Sequence, residues 1–493
     1  MRPRKNKILY RTLWGVFFLA ALGRASETRV DSAGGLSLVL SDESNELKPF
    51  IFGNPAGLSF LESPNRFDLA GFWLSQSSAA SNLTNSFYGT VTDPLSTSLD
   101  YHGLILEPSK DWTIQLDGDL LHTESQPDFG VLDQSRDRSR ELFRTSIKIG
   151  ALALGGQVQA TQASLALKPG YFGAVQLDSG QGTGSGLLGT GGLLLSFPAN
   201  PLAQQSRVIA GGIYSRALIP GRSKTDMVLE EAGPITVNLS QSLQEGDSQS
   251  FGPEIYFESP NSLQAVLLGR ISNGDISLQQ ESSNDPLFNQ PSHKYQSTSS
   301  TAVLGALKTN SPLQRLMSLK SGASFLFQTT TTSLFDPSQN PAALSDSQTW
   351  QFQMGTGLEG LEKYTVGLQA RLQGVSGGFT PAGASAEPVN FFSYQLSLGG
   401  EQWISNQWAF RAGIIYENDI NAGASSYPSG IFTVPSGQRV VSTAITAGAG
   451  YKNSSFKADL GFFFDQPYVY DSPNPDDFMT QIGIQLSLSL LLE

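Results

Sequence analysis

The sequence predicts an all-β fold, a transmembrane antiparallel β-barrel of 14–18 strands, and three observations predict it. Apolar and polar residues alternate with a period of two over segments of about 10 to 14 residues, close to the 9–11 that a membrane-crossing strand needs and longer than an average soluble strand. The connections between these segments are of two kinds, short and long, which take turns along most of the chain. After the N-terminus no apolar run is long enough to cross a bilayer as a helix, which takes about 20 residues.

The alternation is clearest in four segments. Trp112, Ile114, Leu116 and Leu120 interleave with Thr113, Gln115, Asp117 and Asp119. Trp350, Phe352, Met354 and Leu358 interleave with Gln351, Gln353 and Gly355. Tyr364 to Leu372 and Phe456 to Phe464 repeat the pattern, with Phe463 breaking it in the second. Residues two apart in a strand share a face, so each segment has one greasy and one mostly polar side; a helix would show a period of 3.6. The last segment alternates Ile482, Ile484, Leu486, Leu488, Leu490 and Leu492 with glycine, glutamine and serine. It resembles the closing strand of outer-membrane proteins, although the chain ends in Glu493 where an aromatic residue is usual. The strand count comes to about 18, beginning near Arg66, with weak patterning between Leu187 and Phe257 opening the range down to 14.

Short connections include 109–111, 359–363, 405–407 and 452–455. Long ones, rich in Gly, Ser, Pro and Asn, include 78–97, 123–138, 220–248, 272–296, 332–346, 376–389, 421–438 and 466–476. Bacterial barrels show this asymmetry, with short periplasmic turns and long external loops. Trp112, Tyr364, Trp403, Trp408, Tyr451 and Phe456 stand beside short turns, where an aromatic ring satisfies both its apolar body and its polar edge at a membrane interface.

Composition agrees. Mean hydropathy is −0.14 and only 15% of residues are charged, as expected when lipid-facing and lumen-facing residues cancel. Arg2 to Arg11 is basic, Leu13 to Leu22 is apolar, and Gly23-Arg24-Ala25 suits a signal peptidase, so residues 1–25 read as an export signal cleaved before Ser26. Cleavage removes six basic residues and takes the formal net charge from −12 to −18, which argues against a nucleic-acid partner. The absence of cysteine excludes thiolate metal sites and cysteine nucleophiles.

Chemistry-bearing motifs are sparse. His102, His122 and His293 lack metal-ligand spacing, so no metal or cofactor is expected. No serine–histidine pair stands out, and the chain reads as a non-enzyme. Gly180 to Gly192 lacks a following Lys-Ser or Lys-Thr and reads as a flexible loop entering a strand of small residues. The polar faces are more informative: Asp117, Asp119, Arg144, Lys148, Arg371, Arg411, Lys457 and Asp459 lie opposite the apolar sets and are the candidate lumen-lining residues. A charge on the lipid side would cost about 2–4 kcal/mol near the midplane. Pairing with one another across the lumen is the favoured role for these charges.

Ahead of the first strand, Asn54-Pro55-Ala56-Gly57-Leu58 forms a rigid turn between Phe52 and Leu58, proline fixing its own φ and glycine permitting a positive one. This turn, about 30 residues into the mature chain and followed by long amphipathic strands, resembles the FadL-type outer-membrane transporters of hydrophobic compounds, and the related PorV-type barrels. The resemblance implies that residues 26–63 form a hatch inside the lumen, with Asn54, Pro55, Ala56 and Gly57 as its turn, and that residues 64–493 form the barrel. It implies passive transport of hydrophobic small molecules such as long-chain fatty acids. A general porin for polar solutes and a secretion-partner or surface-scaffold barrel are the alternatives. The expected partners are outer-membrane lipid and lipopolysaccharide, the barrel-assembly machinery and a hydrophobic ligand, and the expected location is the bacterial outer membrane.

Overall fold

The structure, a computed structural model, describes residues 33, 36, 54–60, 65–79, 95–125, 134–167, 170–172, 175–200, 203–219, 223–231, 236–259, 263–282, 292–314, 317–335, 341–360, 363–381, 387–420, 439–470 and 478–492. The signal segment expected at 1–25 lies outside them, as does most of 26–63.

A 3-10 turn, Pro55–Phe60, precedes the sheet. The strands are β1 (Arg66–Ala79), β2 (Leu95–Ser109), β3 (Trp112–Ser125), β4 (Gln134–Ile149), β5 (Leu152–Leu167), β6 (Gly170–Phe172) and β7 (Val175–Asn200). They continue with β8 (Ala203–Ile219), β9 (Ser223–Glu231), β10 (Thr236–Ser259), β11 (Leu263–Ser282), β12 (Ser292–Gln314), β13 (Met317–Phe335) and β14 (Pro341–Gly360). The last are β15 (Tyr364–Pro381), β16 (Glu387–Trp403), β17 (Trp408–Ile420), β18 (Arg439–Lys452), β19 (Phe456–Asp465), β20 (Tyr468–Tyr470) and β21 (Phe478–Leu491). Every pairing is antiparallel, successive wall positions follow one another along the chain, and β1 closes on β21 from Arg66↔Leu491 to Ala79↔Phe478. The result is a closed barrel of 18 wall strands. Three wall positions are held by two pieces each. β6 continues β5 against β7, β9 follows β8 between β7 and β10, and β20 continues β19 against β18.

The side-chain faces follow the alternation. Leu116, Phe143, Val158, Leu398, Ile414, Ile445, Phe462 and Leu486 are exposed on the outward face, while Asp119, Arg144, Gln369, Ser397, Arg411, Asp459 and Ser487 are buried on the inward one. Two rows of aromatics flank the apolar band. Beside the short turns, Trp408 stacks near Tyr451 (4.9 Å between centroids) and Tyr451 near Phe456 (6.2 Å). Toward the other end Trp350, Phe392, Tyr394 and Tyr416 form a chain at 6.0, 6.5 and 6.0 Å. An apolar outer band between two aromatic girdles, over a polar interior, is the surface of a membrane-spanning barrel.

Three expectations change. The polar connections are shorter than their composition suggests, because β10, β11, β12 and β14 run on through much of 220–248, 272–296 and 332–346. Beyond the apolar band the ladder needs no greasy face, so Ser, Thr and Gln carry it on, as in the pairing of Ser297–Thr301 with Thr329–Ser333. Gly180–Gly192 is part of β7, paired on one side to β5, and not a loop. Trp403 points into the lumen, where its Nε1 donates to Glu401 Oε1 at 2.7 Å; the strand's parity places it opposite Gln402.

The two faces should respond differently to charge. Replacing outward-facing Ile414 with arginine is expected to destabilise the barrel by about 2–4 kcal/mol in denaturant unfolding from lipid bilayers, whereas inward-facing Gln395→Arg should change stability by less than about 1 kcal/mol.

Candidate functional site

The interior site is built around the turn that precedes the wall. Asn54 caps the 3-10 turn: its Oδ1 accepts from Ala56 N at 3.0 Å and its carbonyl from Gly57 N at 2.9 Å. Pro55 follows at the first helical position, where its missing N–H costs nothing. Gly57 is not in the left-handed region expected of it; among the described residues positive φ occurs at Lys363 and Gly150. The turn is buried, with Asn54 and Ala56 fully so.

The wall is shaped to receive it. Gly155 of β5 and Gly192 of β7 are direct partners in the ladder, both facing inward. A Cβ on Gly155 would collide with Pro55 and Ala56, and one on Gly192 with the Asn54 amide. Asn54 Nδ2 donates to Glu254 Oε2 at 2.8 Å and to the Gly212 carbonyl at 3.1 Å. Glu254 is itself held by Arg270 and by the Tyr256 hydroxyl (3.1 Å). Ser146 Oγ donates to the Ala56 carbonyl at 3.1 Å and meets Ser59 Oγ at 2.5 Å. Phe60 ends the turn between two cations, Lys148 Nζ at 5.3 Å and Arg207 at 5.9 Å from the ring.

The N-terminal segment also touches the far wall. Ala33 and Leu36 are fully buried, and a Cβ on Gly399 of β16 would collide with Ala33. From β16 the wall reaches β5 through β17, β18, β19, β21, β1, β2, β3 and β4 one way, or through β15, β14, β13, β12, β11, β10, β8 and β7 the other, so the two strands lie half-way round from each other. Residues 33 and 54–60 are therefore seated on opposite sides of the bore.

Around the turn, the inner wall is greasy. Ala153, Leu194, Ile209, Tyr256 and Val266 pack with Ala56 and Phe60, and Leu268, Leu304 and Ala306 extend the cluster onto β11 and β12. Inward-facing apolar side chains also occur elsewhere, as with Leu74, Ile105, Leu142 and Val440, but this strip is the one that packs against the turn.

All eight candidate lumen residues fall on inward register positions. Arg411 and Asp459 come together with Glu401: Arg411 lies 2.7 Å from each carboxylate, and all three side chains are 1–2% exposed. Arg144 donates to Gln157 (2.8 Å), and Gln115 links to Asp117 at 2.6 Å. Asp119 holds Arg140 at 2.5 Å, with Arg138 at 3.6 Å. Arg371 pairs with Glu417 at 2.9 Å. Lys148 meets the Phe60 ring, and Lys457 stands opposite Lys452 in the β18–β19 ladder. Glu254, Arg270, Glu401 and Glu417 were missed by sequence reasoning. The same parity rule would have faced them inward, but nothing in sequence says which wall residue meets Asn54. No group of three His, Asp or Glu placed to hold a metal occurs among the described residues.

The fold, girdles and polar bore define a transmembrane β-barrel with chain inside its lumen. No protein-family model matches the chain, and no curated protein matches it. Among solved structures, it is similar over 94% of its length to a Pseudomonas aeruginosa FadL homologue (13% identity, 96% of that chain, TM-score 0.40). It is similar over the same share to the Ralstonia pickettii toluene transporter TbuX (13% identity, 98% of that chain, TM-score 0.39). Over 86% it is similar to the ferric yersiniabactin uptake receptor FyuA of Yersinia pestis (10% identity, 80% of that chain, TM-score 0.46). These are likenesses of barrel type, and what the bore does rests on the residues described above.

Two substitutions separate wall from turn. Arg411→Met strands two buried carboxylates and is expected to cost about 3–5 kcal/mol in unfolding experiments. Gly192→Val should leave the wall closed but unseat Asn54, read as new protease cleavage between residues 26 and 63 of the folded barrel.

Proposed function

We propose that this protein is a passive outer-membrane channel for hydrophobic small molecules, long-chain fatty acids among them, whose bore is closed at rest by residues 26–63. The observation that carries this reading is the glycine-cradled turn at Asn54–Leu58, locked to Glu254 beside an inward-facing apolar strip. A general pore for polar solutes has no use for a greasy inner strip or for chain seated on opposite walls. Transport here is binding and rearrangement, with no bond made or broken. Moving the turn breaks the hydrogen bonds of Asn54 to Glu254 and Gly212 and of Ser146 to Ala56 and Ser59, and lifts Ala56 and Phe60 off the apolar strip; an apolar ligand taking their place on the strip can offset that loss. The outward face would meet lipid and lipopolysaccharide, and β21 would serve the barrel-assembly machinery as the closing strand.

Planar-bilayer conductance tests the closure. The full mature chain should give small, intermittent currents, and the chain lacking residues 26–63 a large, steady one. A large steady conductance from the full chain would instead make it an open pore for polar solutes. Removing the gene should lower cellular uptake of a long-chain fatty acid or hydrocarbon; unchanged uptake would sink the hydrophobic-substrate reading.

A further inference from the structure

The inner face of β4 is a line of cations. Arg138, Arg140, Arg144 and Lys148 occupy four of its six inward positions from 138 to 148, with buried Leu142 and Ser146 at the other two. Ten residues separate the first from the last, about 33 Å of strand at roughly 3.3 Å per residue, enough to run from one membrane face to the other. Facing them from β3 are two carboxylates, Asp117 and Asp119. The partners of Arg144 nearest its guanidinium are neutral, Gln157 and Gln115. Lys148 makes no ion pair among the described residues; its neighbour is the Phe60 ring. Across the bore the balance reverses. The described inward side chains of β16 to β19 include five carboxylates, Glu401, Glu417, Asp419, Asp459 and Asp465, against Arg411, Lys452 and Lys457. A chain of net charge −12 has thus gathered a positive wall inside its lumen.

The second half of the pattern is the greasy strip. Leu194, Ile209, Val266, Leu268 and Leu304 sit on β7 to β12, and β8 is three strands from β4 through β5 and β7. At about 4.8 Å per strand that is roughly 14 Å round the wall.

We infer that the inner face of β4 is a binding track for anionic head groups, so that the channel takes amphipathic anions in preference to neutral hydrocarbons of the same length. The inference rests on the channel reading above and deepens it. An anionic head moves between cations along β4 while its apolar tail lies on the β7–β12 strip. The low-dielectric wall strengthens each contact relative to water. Arg138 and Lys148, the less buried of the four, take the head group directly. Arg140 and Arg144, nearly covered, hold the potential of the track positive between them.

The test is uptake of labelled dodecanoate and 1-dodecanol by a Gram-negative host expressing the full chain, with folded barrel in the outer membrane measured for each variant. The unsubstituted protein should favour dodecanoate. Arg138→Gln and Lys148→Gln should each lower the dodecanoate-to-dodecanol ratio on the order of two- to fivefold, the loss of one part-exposed ionic contact, and Lys148→Arg should keep it. The same arms with dodecyl sulfonate distinguish a general anion track, where the ratio falls alike, from one overturned in favour of a carboxylate-specific site elsewhere, where it does not. A ratio unmoved by both glutamine variants overturns the inference and leaves the channel reading standing. Uptake of neither compound above background overturns the channel reading, and this inference with it.

Discussion

Hydrocarbon offers the backbone no hydrogen-bond partner, so every N–H and C=O crossing it must be paired by the chain itself. The closing of β1 on β21 meets that demand. Without it the sheet would have two edges in lipid; with it there are none. The rest follows from a ring in which each strand has one side toward lipid and one toward the bore. Period-two alternation becomes an outside and an inside, aromatics settle where the lipid ends, and charges that could not face hydrocarbon are turned inward.

Inside, buried charge is tolerated because it is organised. Arg411 lies between Glu401 and Asp459, joining β16, β17 and β19 across Gly450 of β18, where a Cβ would strike Arg411 and Asp459. Such groups contribute little net stability over an apolar replacement, but removing one partner is costly, so they fix which residues face one another. The Asn54–Glu254 contact differs in kind: it ties the wall to chain outside it, with a small amide in place of a cation. A hydrogen bond from a neutral amide to a carboxylate is weaker than an ion pair of the same geometry, so the turn is held less firmly than the wall charges hold one another.

How much of this was legible depends on the range of the interaction. Faces were legible because parity is local: Asp117, Arg144, Arg371 and Lys457 could be assigned inward from residues two away. The wall's size was nearly so, since short turns such as 405–407 punctuate it. What alternation could not show was anything requiring two distant strands at once. Gly155 and Gly192 look like ordinary weak points of a strand until the ladder sets them side by side beneath Pro55. Glu254 is 200 residues from the amide it binds. Trp403 sits beside a turn like its neighbours, yet its parity and Glu401 draw it into the lumen. The extended strands above the membrane were hidden because, once lipid is absent, nothing forces a greasy face into the sequence.

The seam has a consequence for how the molecule comes into being. Its two sides, Arg66 and Leu491, are the first and last parts of the wall to be made, so the ring cannot shut until both are in place. Long-range closure of this kind is slow, and until then both margins stay hungry for a partner. The N-terminal turn, whose seats on β5, β7 and β10 are all made before β16, is free to settle while the vessel is still open at one side. The turn can then be in its seat before the ring closes.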